Sequence, residues 1–151
     1  MLISGYNPDG TSETYELNIP GELSLNRKNI EFGCRWVGQG DVVSRLLLGH
    51  DSKIYDVPTI NSLSKKSKEE FKAQMRGLEY FIQWDLLTLQ DAVDLGVYLI
   101  KSTEIIQRFA DGINMDVGDF QAVGGPVDVA IINKDGIKWI KRKEIEYNPI
   151  I

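Results

Sequence analysis

Two four-residue turns, one near each end of the chain, constrain its fold more than any other feature. They are Asn7-Pro8-Asp9-Gly10 and Asn133-Lys134-Asp135-Gly136. In the first, proline presets φ at the second turn position and glycine tolerates a left-handed exit. The second has the residue types of a tight hairpin turn. Both are flanked by strand-like sequence. Residues 2–6 are short and apolar, and across residues 11–19 Tyr15, Leu17 and Ile19 alternate with Thr14, Glu16 and Asn18. At the other end Val127, Val129 and Ile131 alternate before the turn, and Ile137, Trp139 and Lys141 share a face after it. Such period-two patterns predict strands. Residues 29–36, with Ile30, Phe32 and Cys34 on one face, predict a further one.

The middle of the chain carries helix signals instead. Residues 41–48 form a short helical pattern that closes before Gly49. Ser67-Lys68-Glu69-Glu70 and Thr88-Leu89-Gln90-Asp91 each set a hydroxyl three residues before an acid. In that arrangement the hydroxyl caps an orphan N–H and the acid complements the positive helix end. The first signal predicts a helix running to about Trp84. The second predicts one running to about Phe109, with Ala92, Leu95, Leu99 and Ile106 near helical spacing. Residues 53–64, interrupted by Pro58, and residues 110–118 read as loops. The order of strands, helices, strands predicts an α+β fold with an antiparallel sheet and two main helices, because βα alternation is missing. At 151 residues the chain is sized for one domain spanning 1–151.

Composition excludes several function classes. A net charge of −5 supplies no field that would recruit nucleic acid or an anionic membrane. The basic run Lys141-Arg142-Lys143 is followed at once by Glu144 and Glu146, as on a solvated strand face. No apolar run approaches the roughly 20 residues of a membrane helix, and the first residues lack the pattern of a secretory signal. A lone cysteine, Cys34, permits no internal disulfide and no thiolate metal cage. A soluble, cytoplasmic protein is expected.

The residues that carry chemistry elsewhere do not form a catalytic set here. His50, the single histidine, adjoins Asp51 and Ser52, but neighbours in a loop point apart and cannot converge as a triad. Cys34 falls on an apolar strand face and reads as a small hydrophobe. Gly38-Gln39-Gly40 precedes a helix, yet Asp41 stands where a phosphate would sit. Asp111, Asp116 and Asp119 lack the spacing of a calcium loop. The tryptophans at 36, 84 and 139 are expected in the core. No catalytic residue, metal site or cofactor is expected. Any ligand would be expected at Gly38, Gly40, Asp41, Gly124 and Gly125, or along the loop at 111–121.

Two groups of short motifs point further. One is Leu2-Ile3-Ser4-Gly5-Tyr6, Tyr15-Glu16-Leu17, Gly21, Phe32-Gly33 and Gly38-Gln39-Gly40. The other runs from Thr88 through Leu95, then Val123-Gly124-Gly125-Pro126-Val127 through Ile131, and Asp135-Gly136. Together they resemble the C-terminal portion of a proteasome-type β subunit, an N-terminal-nucleophile (Ntn) hydrolase. The resemblance implies part of a four-layer αββα sandwich. It also implies what is missing, because in that family the nucleophile is the first residue of the mature chain and its own amine is the base. The supporting lysine and aspartate come from the family's first half. Met1-Leu2 offers no such amine, since a bulky second residue keeps the initiator methionine. Asp41 replaces the serine that often follows Gly-x-Gly there. Val123 replaces that of Ser-Gly-Gly, and Phe120 the aspartate three residues earlier, with Asp119 one place off.

Half of such a sandwich leaves sheet edges and an apolar sheet face uncovered. The expected role is a non-catalytic proteasome-like domain or fragment acting in assembly, by self-association or by pairing with a missing N-terminal segment or partner chain. Two alternatives stand beside it. One is part of a threonine-type peptidase or amidohydrolase whose nucleophile lies on a missing segment. The other is a small ligand-binding domain.

Overall fold

The computed structural model describes residues 1–29, 31–110 and 123–142. The chain divides into two compact units, Met1–Val37 with Gly125–Ile151, and Gly38–Gly124.

The first unit contains the five strands found among the described residues. β1 (Leu2–Tyr6), β2 (Ser12–Leu17) and β3 (Leu23–Arg27) form an antiparallel meander in the order β1-β2-β3. The first turn closes as its sequence dictates: Gly10 N–H donates to the Asn7 carbonyl at 2.9 Å, with Gly10 at φ 84°. β4 (Val129–Asn133) and β5 (Gly136–Lys141) form a separate antiparallel hairpin in which Asn133 faces Gly136. β1 runs beside β4, with Cα atoms closer than 8 Å, but the two sheets share no ladder.

Two strand expectations change, and one about the core. Leu23–Arg27 forms a strand that the sequence reading did not assign, although Leu23 and Leu25 alternate with Ser24 and Asn26. Residues 31–37 form no strand, and Ile30 lies outside the described residues. The stretch is held by side chains instead, with an Arg35–Glu16 ion pair and the Glu31 carboxylate accepting from Lys28 N–H at 2.9 Å. The tryptophans are not core residues either. Trp36 and Trp84 are half-buried, and Trp139 is exposed beneath the Arg142 guanidinium at 5.2 Å.

The second unit is helical. α1 (Asp41–Leu48) buries Val42, Val43 and Leu47, and ends where Gly49 takes a left-handed conformation. A 3-10 turn (Ser52–Asp56) and α2 (Pro58–Asn61) occupy the stretch read as a loop. Their signals are local: the Asp51 carboxylate caps the turn through Lys53 N–H, and Pro58 stands in the first turn of α2, where its missing N–H costs nothing. α3 (Lys65–Met75) starts three residues earlier than expected, because Ser64 rather than Ser67 is its cap. It also stops well short of Trp84. After a 3-10 turn at Arg76–Leu78, Tyr80 N–H donates to the Leu47 carbonyl at 3.0 Å, which ties the chain to the end of α1.

α4 (Leu89–Ala110) follows its capping signal closely. Thr88 Oγ1 accepts from Asp91 N–H, and the Asp91 carboxylate accepts from Thr88 N–H, both at 3.1 Å. Leu99 and Thr103, one turn apart, are buried where α4 packs against α1. Of the residues expected on the inner stripe, Leu99 is buried, Leu95 is half-buried, and Ala92 and Ile106 are exposed. The general class is therefore α+β with small antiparallel sheets.

Candidate interaction surface

Sheet registers sort the side chains of β1–β3 onto two faces. Ile3 lies opposite Tyr15, Tyr15 opposite Leu25, and Leu17 opposite Leu23. Directly paired residues project to the same side of a sheet, so these five share one face. Ser4 lies opposite Thr14, and Glu16 opposite Ser24, on the other. That second face is knitted by polar contacts. The Ser4 and Thr14 hydroxyls lie 3.1 Å apart, and Asn26 donates to the Glu16 carboxylate at 3.3 Å. The same carboxylate pairs with Arg35.

On this face Tyr15 and Leu17 are half-buried, and the other three are exposed. Ile3 is 45%, Leu25 42% and Leu23 58% exposed. A lone surface leucine needs no explanation, but a contiguous apolar face across three strands marks a contact surface. At its margin the Tyr15 hydroxyl donates to the Glu13 carboxylate at 2.8 Å, and this bond pushes the phenol pKa up. The β4–β5 hairpin repeats the pattern. Ala130 lies opposite Trp139 and Ile132 opposite Ile137, and Ile132, Ile137 and Trp139 are all exposed. In the second unit Tyr98, Ile105 and Phe109 lie along one exposed side of α4.

Of the residues expected to bind a ligand, Gly38, Gly40 and Asp41 lie together at the start of α1. Gly38 takes φ 86°, a left-handed conformation that favours glycine, and a Cβ there would meet open space. Gly40 caps α1 at φ −102°, with its carbonyl accepting from Ser44 N–H at 2.8 Å, and Asp41 occupies the first turn. Gly124 is exposed, and Gly125 at φ 85° likewise borders open space. Asp111, Asp116, Asp119 and the loop at 111–121 lie outside the described residues, as do Lys143, Glu144 and Glu146. Among the described residues no group of His, Cys, Asp and Glu is placed to hold a metal ion.

The remaining reactive side chains have structural partners. His50 Nδ1 lies 3.0 Å from the Leu48 carbonyl, which makes that nitrogen the donor, and Nε2 lies 3.3 Å from the Tyr55 hydroxyl. Asp51, only 7% exposed, pairs with Arg45 and accepts from Lys53 N–H at 2.7 Å. Burial pushes its carboxyl pKa up, but these bonds outweigh it and hold the pKa below the usual range. The Cys34 thiol is half-buried, and burial pushes its pKa up, against a smaller opposing pull from Arg27. It therefore has little thiolate character. An open cleft of about 550 Å³ lies between the two hairpin turns, lined by residues 6–10, Lys134 and Asp135. Its Asp9 carboxylate is already engaged by the Thr11 hydroxyl and N–H, at 2.6 and 2.9 Å.

Among the described residues no helix is long and apolar enough to cross a membrane. No family profile, no curated protein and no solved structure matches the chain.

Proposed function

We propose that this chain is a non-catalytic, proteasome-like assembly domain that associates with copies of itself through the apolar face of β1–β3. The observation that carries this reading is the segregation of that sheet. Ile3, Tyr15, Leu17, Leu23 and Leu25 gather on one face, where Ile3, Leu23 and Leu25 are exposed, and the Ser4–Thr14 and Asn26–Glu16 contacts lie on the opposite one. In a sandwich fold an inner sheet face is covered by a second sheet at about 10 Å. A second copy, presenting the same face about a two-fold axis, supplies such a cover. The Ntn-like identity rests on the motif resemblance alone, and the β1–β3 meander is compatible with it.

The test is Ile3→Asp. Ile3 is exposed and belongs to the face but to no hydrogen-bonded side-chain network, so the fold tolerates the change. The charge is placed twice in a symmetric contact. Since burial of an isoleucine side chain contributes about 1.5–3 kcal/mol, association weakens at least about tenfold. Unchanged association of a folded Ile3→Asp chain refutes the face as the contact.

A further inference from the structure

The dipeptide Asp-Gly stands at both hairpin tips, as Asp9-Gly10 and as Asp135-Gly136. In this dipeptide glycine has no Cβ to shield its nitrogen, so the nitrogen can reach the aspartate Cγ and close a five-membered ring. The two tips share what ring closure needs. Both aspartates are exposed, and both border the open cleft between the turns, so water reaches them. A Cβ at either glycine would have no heavy atom within 4 Å. Each glycine also closes its turn: Gly10 N–H donates to the Asn7 carbonyl at 2.9 Å, and Gly136 faces Asn133 in the β4–β5 ladder.

The carboxylates differ. Asp9 accepts from the Thr11 hydroxyl at 2.6 Å and from Thr11 N–H at 2.9 Å. The hydroxyl first, then the N–H, holds the Asp9 carboxyl below the usual carboxylate range. These bonds turn the group toward Thr11 and deplete the neutral acid whose hydroxyl must leave as water. At the other tip the corresponding residue is Ile137, which has no hydroxyl. Asp135 bonds through its backbone, where its N–H donates to Asn133 Oδ1 at 2.9 Å. Among the described residues no donor holds the Asp135 carboxylate.

We propose that Asp135 is a site of spontaneous conversion to isoaspartate, and that Thr11 protects Asp9 from the same reaction. The Gly136 nitrogen attacks Cγ of the neutral Asp135 carboxyl and gives up its proton. The N–Cγ bond forms, the Cγ–OH bond breaks, and the hydroxyl and the proton leave as one water. One water then adds back to the ring. Opening at Cγ restores aspartate, whereas opening at the Asp135 main-chain carbonyl leaves the chain running through Cβ and Cγ. Nothing is oxidised or reduced, and the mass is unchanged. The product carries an extra methylene in the main chain of a tight turn, and turn length fixes the pairing of Ile132 with Ile137. The hairpin therefore loosens from its tip as conversion proceeds. This chemistry is independent of how the chain associates.

The experiment is ageing of the full chain in heavy-oxygen water at mildly acidic pH, both folded and in denaturant. Mass spectrometry then resolves the peptides that contain residues 9 and 135. Every ring opening, to either product, leaves one heavy oxygen in its peptide, so each site reports its own rate. Two hydrogen bonds to one carboxylate are expected to make folded-state conversion about tenfold slower at Asp9 than at Asp135. In denaturant the two rates are expected to converge. Thr11→Val removes the hydroxyl and keeps the N–H, and is expected to raise the Asp9 rate several-fold with Asp135 unchanged. Equal folded-state rates, or an Asp9 rate insensitive to Thr11→Val, overturn the protection. A contrast that persists in denaturant belongs to local sequence and overturns the structural account. A folded chain that takes up no heavy oxygen at Asp135 overturns the site.

Discussion

Tyr15 stands directly opposite Leu25 in the β2–β3 ladder, on the side of the sheet that also carries Ile3. In a completed sandwich such a pair would be central and dry. Here Leu25 is 42% exposed. Among the described residues the meander is therefore regular in backbone while Ile3, Leu23 and Leu25 stay exposed to water. Four predictions follow from the way the two units are held and from what the first leaves uncovered.

Asp51 anchors the chain after α1. It is buried, pairs with Arg45 on the helix, and caps the following 3-10 turn through Lys53 N–H. Asp51→Ala removes these bonds and leaves a backbone donor without its partner. The expected loss is about 1–3 kcal/mol, read as a lower denaturant midpoint at unchanged slope. A midpoint within error of wild type would contradict this role.

Gly49 is the position least able to accept a side chain. Its φ is +76°, and a Cβ there would lie 2.6 Å from Leu78 Cβ and 3.0 Å from the Leu78 carbonyl oxygen. Gly49→Ala thus adds backbone strain and a collision with the chain beyond α3. It is expected to cost about 2–4 kcal/mol, whereas Gly96→Ala, where a Cβ meets open space in the middle of α4, is expected to stabilise by about 0.5–1 kcal/mol. Equal effects at the two sites would refute this account.

The cap of α4 gives an acid-side dependence. The Thr88 side-chain bond, then the Thr88 backbone bond, holds the Asp91 carboxyl below the usual carboxylate range. A folded-state pKa lower than the unfolded one means that the cap stabilises fully above about pH 4. That contribution disappears as pH falls through the folded value. Far-UV ellipticity of the wild type should therefore weaken on acidification more than that of Asp91→Asn, which starts lower. Parallel titrations of the two would contradict the capping geometry.

Much of this was legible in the sequence because its determinants are local. The turn at 7–10, the closure of α1 at Gly49 and the Thr88–Asp91 box each satisfy nearby backbone groups, and each formed where its residues predict. The errors came where partners distant in sequence decide. α3 carries good helix formers, yet the chain leaves helical geometry near Gly77 because Tyr80 is bound to the Leu47 carbonyl. Leu23 and Leu25 alternate with polar residues as a strand should, but β3 exists because β2 pairs with it, whereas residues 31–37 find no ladder partner. Pattern alone could not choose between the two. A glycine needed for a turn and one needed beside a ligand look alike in sequence, so pattern alone assigns neither role to the glycines at 38 and 125. The exposure of Ile3, Leu23 and Leu25 was not legible either, since a strand's alternation tells which side is apolar and not whether anything covers it.

The most direct test of the central claim is the mass of the purified full chain in solution, measured by light scattering at micromolar concentration. A chain that assembles through the β1–β3 face gives a defined species heavier than one copy, which dissociates on dilution. A monodisperse monomer under the same conditions would contradict it.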